Sequence, residues 1–170
     1  MKRRQILRRV GILCCHCLRN LAFYNSGWRN GALIHKEPFW VNANGNFLDI
    51  CVLEWCKLFA DARGKHHWQK VITNQIRFFE ELLQIANLTE AEFDAYIGEM
   101  RTYRDKFISH LDAEETMYPP NLRLARKTVS FLYDYLLANE EIDACFHDAP
   151  ANASHFYEFI ARQGKTIYSK

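Results

Sequence analysis

Apolar residues recur along most of the chain at the three- and four-residue spacing that is typical of amphipathic α-helices. Where this spacing is sustained, it predicts helices over residues 4–24, 47–62, 74–86, 89–112, 121–139 and 153–163. Local sequence signals support several of their ends. Asn46 is expected to cap the second helix and Gly64 to stop it, while Gly164 follows the last helix. Thr89 and Glu92 have the spacing of a capping box at the start of the fourth helix.

The segment 25–46 is rich in glycine and asparagine and contains a proline, so we predict a loop there. Three aromatic residues are expected to anchor this loop to the core: Trp28, Phe39 and Trp40. No stretch alternates convincingly between apolar and polar residues, as a β-strand would. The sequence therefore predicts an all-α fold, a single helical bundle of five to six helices. Its core is expected over about residues 5–140, with a C-terminal helical extension over 141–170.

Composition is consistent with one helical domain. The 170 residues are 49% hydrophobic and 25% charged, with 7 glycines and 4 prolines, which excludes a disordered or collagen-like chain. The net charge of +2 is too small to imply nucleic-acid binding by itself. The first twenty residues, however, carry positive charge and no acid. They form either a local patch that attracts anions or the solvated face of a first helix.

The basic start followed by the apolar run 10–15 imitates a secretory signal, but His16 and Arg19 interrupt it. The run is also far shorter than the roughly 20 residues that a membrane-spanning helix needs. We therefore expect an intact cytoplasmic chain that does not associate with a membrane.

Six cysteines raise the question of a metal site. Candidate zinc ligands are Cys14, Cys17, Cys51, Cys56, His66 and His67. The cysteines fall within helical patterns, and free cysteine is commonly a small core residue. Adjacent histidines on a helix do not face the same way, so we expect them to cap or to pack. The sequence predicts neither a metal ion nor another cofactor.

An arginine interrupts the apolar stripe of the fourth helix. The stripe consists of Phe93, Ile97, Met100, Arg104, Phe107 and Leu111. A guanidinium in such a position needs an acid, a cleft or an anionic ligand to compensate its charge. On the same helical wheel His110 lies in line with Tyr103 and Tyr96, which predicts a polar, titratable ribbon at the edge of the stripe.

The segment 104–110 resembles the signature of the HEPN superfamily (higher eukaryotes and prokaryotes nucleotide-binding domains). That signature is an arginine followed by a polar residue and, after several more residues, a histidine, here Arg104, Asp105 and His110. The abortive-infection type resembles the chain best, in residues 103–112, 54–59 and 66–68, and the likeness loosely covers residues 5–140.

This resemblance implies a metal-independent endoribonuclease whose catalytic residues are Arg104, His110 and Asp105. The site of such enzymes lies in a cleft between two protomers, so it also implies a homodimer, an RNA substrate, and a toxin or phage-defence role with a possible antitoxin protein. The residue types suit this chemistry. Histidine has a pKa near 6.5 and can exchange a proton with ribose oxygens, and arginine presents several donors to phosphate. Asp105 can orient a partner or the histidine.

Geometry on a regular helix separates the two main residues of the motif. Six residues rotate the side-chain direction by about 240° and advance it by ~9 Å, so Arg104 and His110 do not converge on one point. We therefore expect Arg104 of one protomer to act with His110 of the partner subunit.

A different interpretation also fits these residues. Arg104 can bridge to an acid on the second helix, and the charges around it can be ordinary surface ion pairs. The chain would then be a catalytically silent helical interaction module or a nucleotide-binding module. No glycine-rich phosphate loop, paired-carboxylate motif or nucleophile elbow is present in the sequence. Two glycosylation-like sequons, starting at Asn87 and Asn152, are interpreted as helix caps.

Overall fold

The computed structural model of the protein describes residues 2–109 and 118–169. Within these ranges it contains six α-helices: α1 (Arg3–Ser26), α2 (Pro38–Trp55), α3 (Gln75–Ala86), α4 (Glu90–Tyr103), α5 (Leu122–Tyr135) and α6 (Ala153–Tyr168). The predicted all-α bundle is confirmed. Sequence patterning missed one short antiparallel hairpin, formed by β1 (Trp28–Arg29) and β2 (Ala32–Leu33). Its strands are too short to show the alternation on which a strand prediction depends.

The long first helix lies at the centre of the bundle and packs against α2, α5 and α6. Aromatic side chains fill much of the core. Trp55 stacks on Phe59, and both contact the ring of Phe93 edge-on. The indole nitrogen of the fully buried Trp55 donates a hydrogen bond of 3.0 Å to the hydroxyl of Thr128, which joins α2 to α5.

The second helix begins nine residues earlier than predicted, at Pro38 rather than at residue 47, so Asn46 is not its cap. Proline is favourable in the first turn because its missing N–H has no intrahelical partner there. The asparagines that resemble a loop sequence lie inside the helix. Asn44 is buried, and its amide donates to the Tyr24 carbonyl oxygen and accepts from the Trp28 indole, both at 3.0 Å.

The aromatic residues of this region do not all anchor it to the core as predicted. Phe39 is 72% exposed and Trp28 is 40% exposed. Trp40 does pack, since its ring lies 5.1 Å from both the His35 and the Tyr168 rings. The prediction is wrong for Phe39, which helix α2 carries onto its outer face. Trp28 is partly exposed, but its indole is held by the hydrogen bond to the buried Asn44.

The last helix does not stop at Gly164 but continues to Tyr168. Gly164 is buried, and a Cβ atom placed on it would lie 2.5 Å from the Ser26 hydroxyl and 3.2 Å from the Phe23 ring. This glycine therefore permits α6 to approach α1 closely. Gly164 was predicted to stop the helix, but its role is to allow close packing of α6 against α1.

Three helices end in π-helical segments: Cys56–Ala60 after α2, Arg104–Ser109 after α4, and Leu136–Glu140 after α5. A π-helix closes its hydrogen bonds from residue i to i+5; it is rare, and it occurs frequently at functional sites. The second helix thus ends at residue 60, four residues before Gly64.

Predicted caps are confirmed at several helix ends. Thr89 and Glu92 form the reciprocal capping box of α4, and Asn152 accepts the amide of His155 at the start of α6. Asn87 ends α3 in the left-handed conformation. His67 caps the 3₁₀ turn Trp68–Lys70 by accepting from the Gln69 amide, while its Nε2 lies 3.0 Å from the Phe59 carbonyl oxygen.

All six cysteines are free, and five of them are buried: Cys14, Cys17, Cys51, Cys56 and Cys145. The sulfur atoms of Cys17 and Cys51 lie 3.7 Å apart between α1 and α2. Within residues 2–109 and 118–169, no group of three or more metal-ligating side chains comes together. In the same ranges, no helix has both the length and the apolar character required to cross a membrane.

Candidate functional site

Arg104 is the first residue of the π-helical segment that follows α4, and two carboxylates hold its guanidinium. Nη1 donates to Oδ1 of Asp61 and Nε donates to Oδ1 of Asp105, each at 2.8 Å. Asp61 comes directly after the π-helical segment that ends α2. Of the three ways to compensate the charge of Arg104, the structure therefore shows the acid at the end of the second helix.

The side chain of Arg104 is 20% exposed, against 39% for Asp61 and 55% for Asp105. The guanidinium thus lies at the rim of the bundle with its acids on the solvent side. The hydrogen bonds that Arg104 donates to Asp105 and to Asp61 raise its pKa further above the ordinary value, against the opposing effect of burial. Nearby, burial raises the pKa of the Cys56 thiol to about 12, so this group is a neutral neighbour.

The two bonds to carboxylates use two of the five N–H donors of the guanidinium. With both acids ionised, the group of three side chains carries a net charge of −1. A phosphate that binds Arg104 must therefore compete with at least one of these acids or use the other donors. The arrangement fixes the orientation of the arginine and also weakens its attraction for an anion.

Two further residues near Arg104 join α4 to α2 and to the π-helical segment that follows it. Arg101 donates to the carbonyl oxygen of Ala60, the last residue of the π-helical segment. The hydroxyl of Tyr103 donates to Asp49 on α2 at 3.2 Å. The position of Arg104 is therefore set by several contacts between the same two elements.

The predicted polar ribbon along α4 is wrong for its tyrosines. Tyr96 and Tyr103 are buried, at 3% and 2% exposure, and face the core together with Phe93 and Met100. Ile97 is only partly buried. The hydroxyl of Tyr96 donates to the Asn121 carbonyl oxygen at 2.8 Å, which allows its ring to occupy the core.

Of the three sequence-predicted site residues, the structure brings Arg104 and Asp105 together. His110 lies outside the described residues. Asp61, which the sequence analysis did not single out, is a third member of the group. Its only sequence signal is that an acid terminates the second helix, and this does not distinguish Asp61 from other surface acids.

A pocket lies between the end of α4 with its π-helical segment and the residues that precede α5, and Arg104 is not among its lining residues. Lys106 and Phe107 line one side, and Tyr118 and Pro119 line the other. The lining combines a lysine and aromatic rings with the carboxylate of Glu99, so this pocket is a surface distinct from the guanidinium of Arg104.

Comparison of this chain with protein-family models, curated proteins and solved structures finds no match. The function is therefore inferred from the chemistry of its own residues.

Proposed function

We propose that the chain is a metal-independent endoribonuclease of the HEPN type, with Arg104, His110 and Asp105 as its site residues. The observation that carries this proposal is the geometry of Arg104. It is a partly exposed guanidinium, oriented by two carboxylates, on a π-helical segment. Enzymes place oriented donors where negative charge develops, and π-helical segments are frequent at functional sites.

The proposed reaction uses the 2′-hydroxyl of the RNA as its nucleophile. A neutral His110 removes the 2′-hydroxyl proton, and the oxygen attacks the adjacent phosphorus. The bond from phosphorus to the 5′ oxygen breaks, a protonated histidine donates a proton to that oxygen, and a 2′,3′-cyclic phosphate remains. Arg104 stabilises the additional negative charge of the pentacoordinate transition state, while Asp105 positions its guanidinium.

The proposed active form is a homodimer in which Arg104 acts with His110 of the partner subunit. Twofold symmetry is the most common arrangement of oligomers and would place two copies of the motif across one cleft. An active ribonuclease in the cytoplasm would be harmful unless controlled, so we propose a toxin or phage-defence role with an antitoxin protein as a possible partner. Light scattering is expected to give twice the 20.1 kDa mass of one chain.

Cleavage of labelled total RNA by the purified chain tests the activity directly. We expect cyclic-phosphate ends and no change in rate with excess EDTA. Arg104→Ala and His110→Ala should each abolish cleavage with little change in helicity. Arg104→Lys should also be poor, because an ammonium group does not reproduce the guanidinium fork. Full activity of His110→Ala would contradict the proposal.

The shared site is tested by mixing Arg104→Ala chains with His110→Ala chains. A heterodimer contains one intact pair across the interface and no intact pair within a chain, so partial recovery of cleavage is expected. An inactive mixture, with subunit exchange confirmed, would contradict pairing between protomers.

A second candidate is a catalytically silent interaction module or nucleotide-binding module, which the ion pair of Arg104 with Asp61 favours. In that case Arg104 has a structural role. Asp61→Asn separates the candidates because it removes a competitor for the guanidinium. The ribonuclease proposal expects this variant to bind RNA phosphate more tightly and to cleave at lower substrate concentration. The alternative expects only a change in stability and no cleavage by any variant.

A further inference from the structure

A second concave surface lies between α3, α5 and the start of α6. This groove has a volume of about 730 Å³, within the range of ligand pockets. It is lined by three cations, two apolar side chains, two serines and one acid: Arg123, Arg126, Lys127, Ile85, Phe131, Ser130, Ser154 and Asp134. Its lining therefore carries an excess of positive charge beside an apolar surface.

Among the described residues, no carboxylate neutralises the three cations of the groove. Across residues 2–109 and 118–169, no salt bridge involves Arg123, Arg126 or Lys127. Arg123 and Lys127 are exposed and stand four residues apart on α5, where like charges repel each other. Asp134 is already engaged, since its carboxylate accepts the Ala153 amide at 2.9 Å. An external anion would relieve this repulsion.

Two details orient the groove for a ligand. The guanidinium of Arg126 lies 3.7 Å above the ring centre of Tyr157, so its position is fixed before any anion binds. The hydroxyl oxygen of Ser130 is buried and has no hydrogen-bond partner within the described part of the chain. Buried polar atoms are normally paired, so this unpartnered hydroxyl beside the groove is unusual, and a ligand reaches it only after a rotation of the side chain that exposes the oxygen.

We propose that this groove binds single-stranded RNA, with backbone phosphates on Arg123, Arg126 and Lys127 and a base against Phe131 and Ile85. Sites for single strands combine cations that follow the backbone with aromatic surfaces for the bases. A duplex hides the faces of its bases, so it matches only the charge of the groove. The inference rests on the proposed function in naming RNA as the ligand, and its test measures binding apart from cleavage.

Binding is measured by fluorescence anisotropy with a labelled single-stranded 2′-O-methyl oligouridylate. This probe lacks the 2′-hydroxyl and is not cleaved by the proposed reaction. The test variant is the double substitution Arg123→Gln with Lys127→Gln, which removes two exposed charges. Its matched control is Arg162→Gln, which removes one exposed charge on α6 away from the groove lining.

Each phosphate contact on a single strand contributes about 0.7 to the slope of log affinity against log salt. We therefore expect the double variant to reduce the slope by about 1.4 and to weaken binding about 25-fold at 0.1 M salt. The control should bind as the unmodified chain does, and a duplex of the same length should bind more weakly than the single strand.

Unchanged affinity and salt slope in the double variant would overturn the inference. Displacement of the probe by polyglutamate as readily as by unlabelled RNA would also overturn it, and would assign the groove to an acidic peptide. If no form of the chain cleaves RNA but binding depends on the two cations, the proposed ribonuclease function fails and the groove assignment stands. If RNA is cleaved but the double variant binds the probe normally, the groove assignment fails and the proposed ribonuclease function stands.

Discussion

Replacing Thr128 by valine tests how much the buried hydrogen bond between α2 and α5 contributes to stability. Both Thr128 and Trp55 are 0% exposed, and the threonine hydroxyl accepts from the indole N–H while it donates to a carbonyl oxygen one turn earlier on α5. Valine has nearly the same shape, so the substitution removes the hydroxyl without opening a large cavity. The indole N–H then remains buried without its partner.

A buried donor without a partner costs about 1–3 kcal/mol, and this sets the expected loss for Thr128→Val at about 2 kcal/mol. For a chain of this size, such a loss lowers Tm by about 4–8 °C. Urea unfolding followed by tryptophan fluorescence measures the free energy of unfolding, and thermal melting followed by circular dichroism measures Tm.

Thr166→Val is the matched control, because Thr166 is exposed and its hydroxyl only donates to the Arg162 carbonyl oxygen of its own helix. The control should change stability by less than about 0.5 kcal/mol. The reasoning fails if Thr128→Val is as stable as the unmodified chain. It also fails if Thr128→Val destabilises a Trp55→Phe background, which has no indole N–H, as much as it does the unmodified chain.

Three further predictions concern a carboxylate, a histidine and a pair of glycines. The Arg8 guanidinium lowers the pKa of Asp148 to about 2 through hydrogen bonds of 2.7 and 2.8 Å. Arg8→Gln should return this pKa toward 3.8 in a carbon-13 NMR titration. In the unmodified chain, the stabilisation from Asp148 should be lost as the pH falls from about 4 to 2. Burial lowers the pKa of His67, so as the pH falls the unfolded chain takes up this proton before the folded chain does. The free energy of unfolding should therefore decrease as the pH is lowered beneath 6.5, and it should decrease less in His67→Gln. Urea unfolding at pH 7.5 and at pH 5.5 measures this difference. Gly164→Ala should destabilise the fold by about 1–3 kcal/mol, because its new methyl group meets Ser26. The methyl group of Gly45→Ala meets nothing within 4 Å, so this variant should stabilise the fold by about 0.5–1 kcal/mol. Thermal melting measures both changes.

The parts of the fold that depend on local periodicity were predictable. Helices α3 and α5 match their expected bounds closely because regular apolar spacing and an asparagine cap mark each start. The start of α2 was not predictable from local signals. Asn44 favours a loop by its propensity, but contacts with Tyr24 and Trp28, distant in sequence, satisfy its amide inside a helix. Gly164 shows the same limit, since only the approach of α1 explains it.

The candidate site was predictable in part. The requirement that Arg104 be compensated follows from its place in an apolar stripe, and an acid on the second helix was among the expected partners. The identity of Asp61 was not accessible, because it depends on how α2 and α4 cross. The prediction for Tyr96 and Tyr103 was wrong because their hydroxyls find hydrogen-bond acceptors while their rings lie in the core. The type of side chain alone does not reveal this.

The π-helical segment Cys56–Ala60 makes the ion pair of Arg104 and Asp61 tolerant of a change in chain length at that place. Each segment holds one more residue per hydrogen-bonded turn than an α-helix does. Deleting one residue within Cys56–Ala60 would let that turn close as ordinary α-helix, with its backbone bonds intact. The amide of Asp61 closes this turn on the Cys56 carbonyl oxygen, so the shortened turn would leave Asp61 one turn beyond Cys56 and close to its present direction. Single-residue deletions in this segment are therefore expected to preserve both helicity and the contact of Asp61 with Arg104, whereas a deletion inside the regular helix α2 would turn the residues that follow it by about 100° relative to those before it.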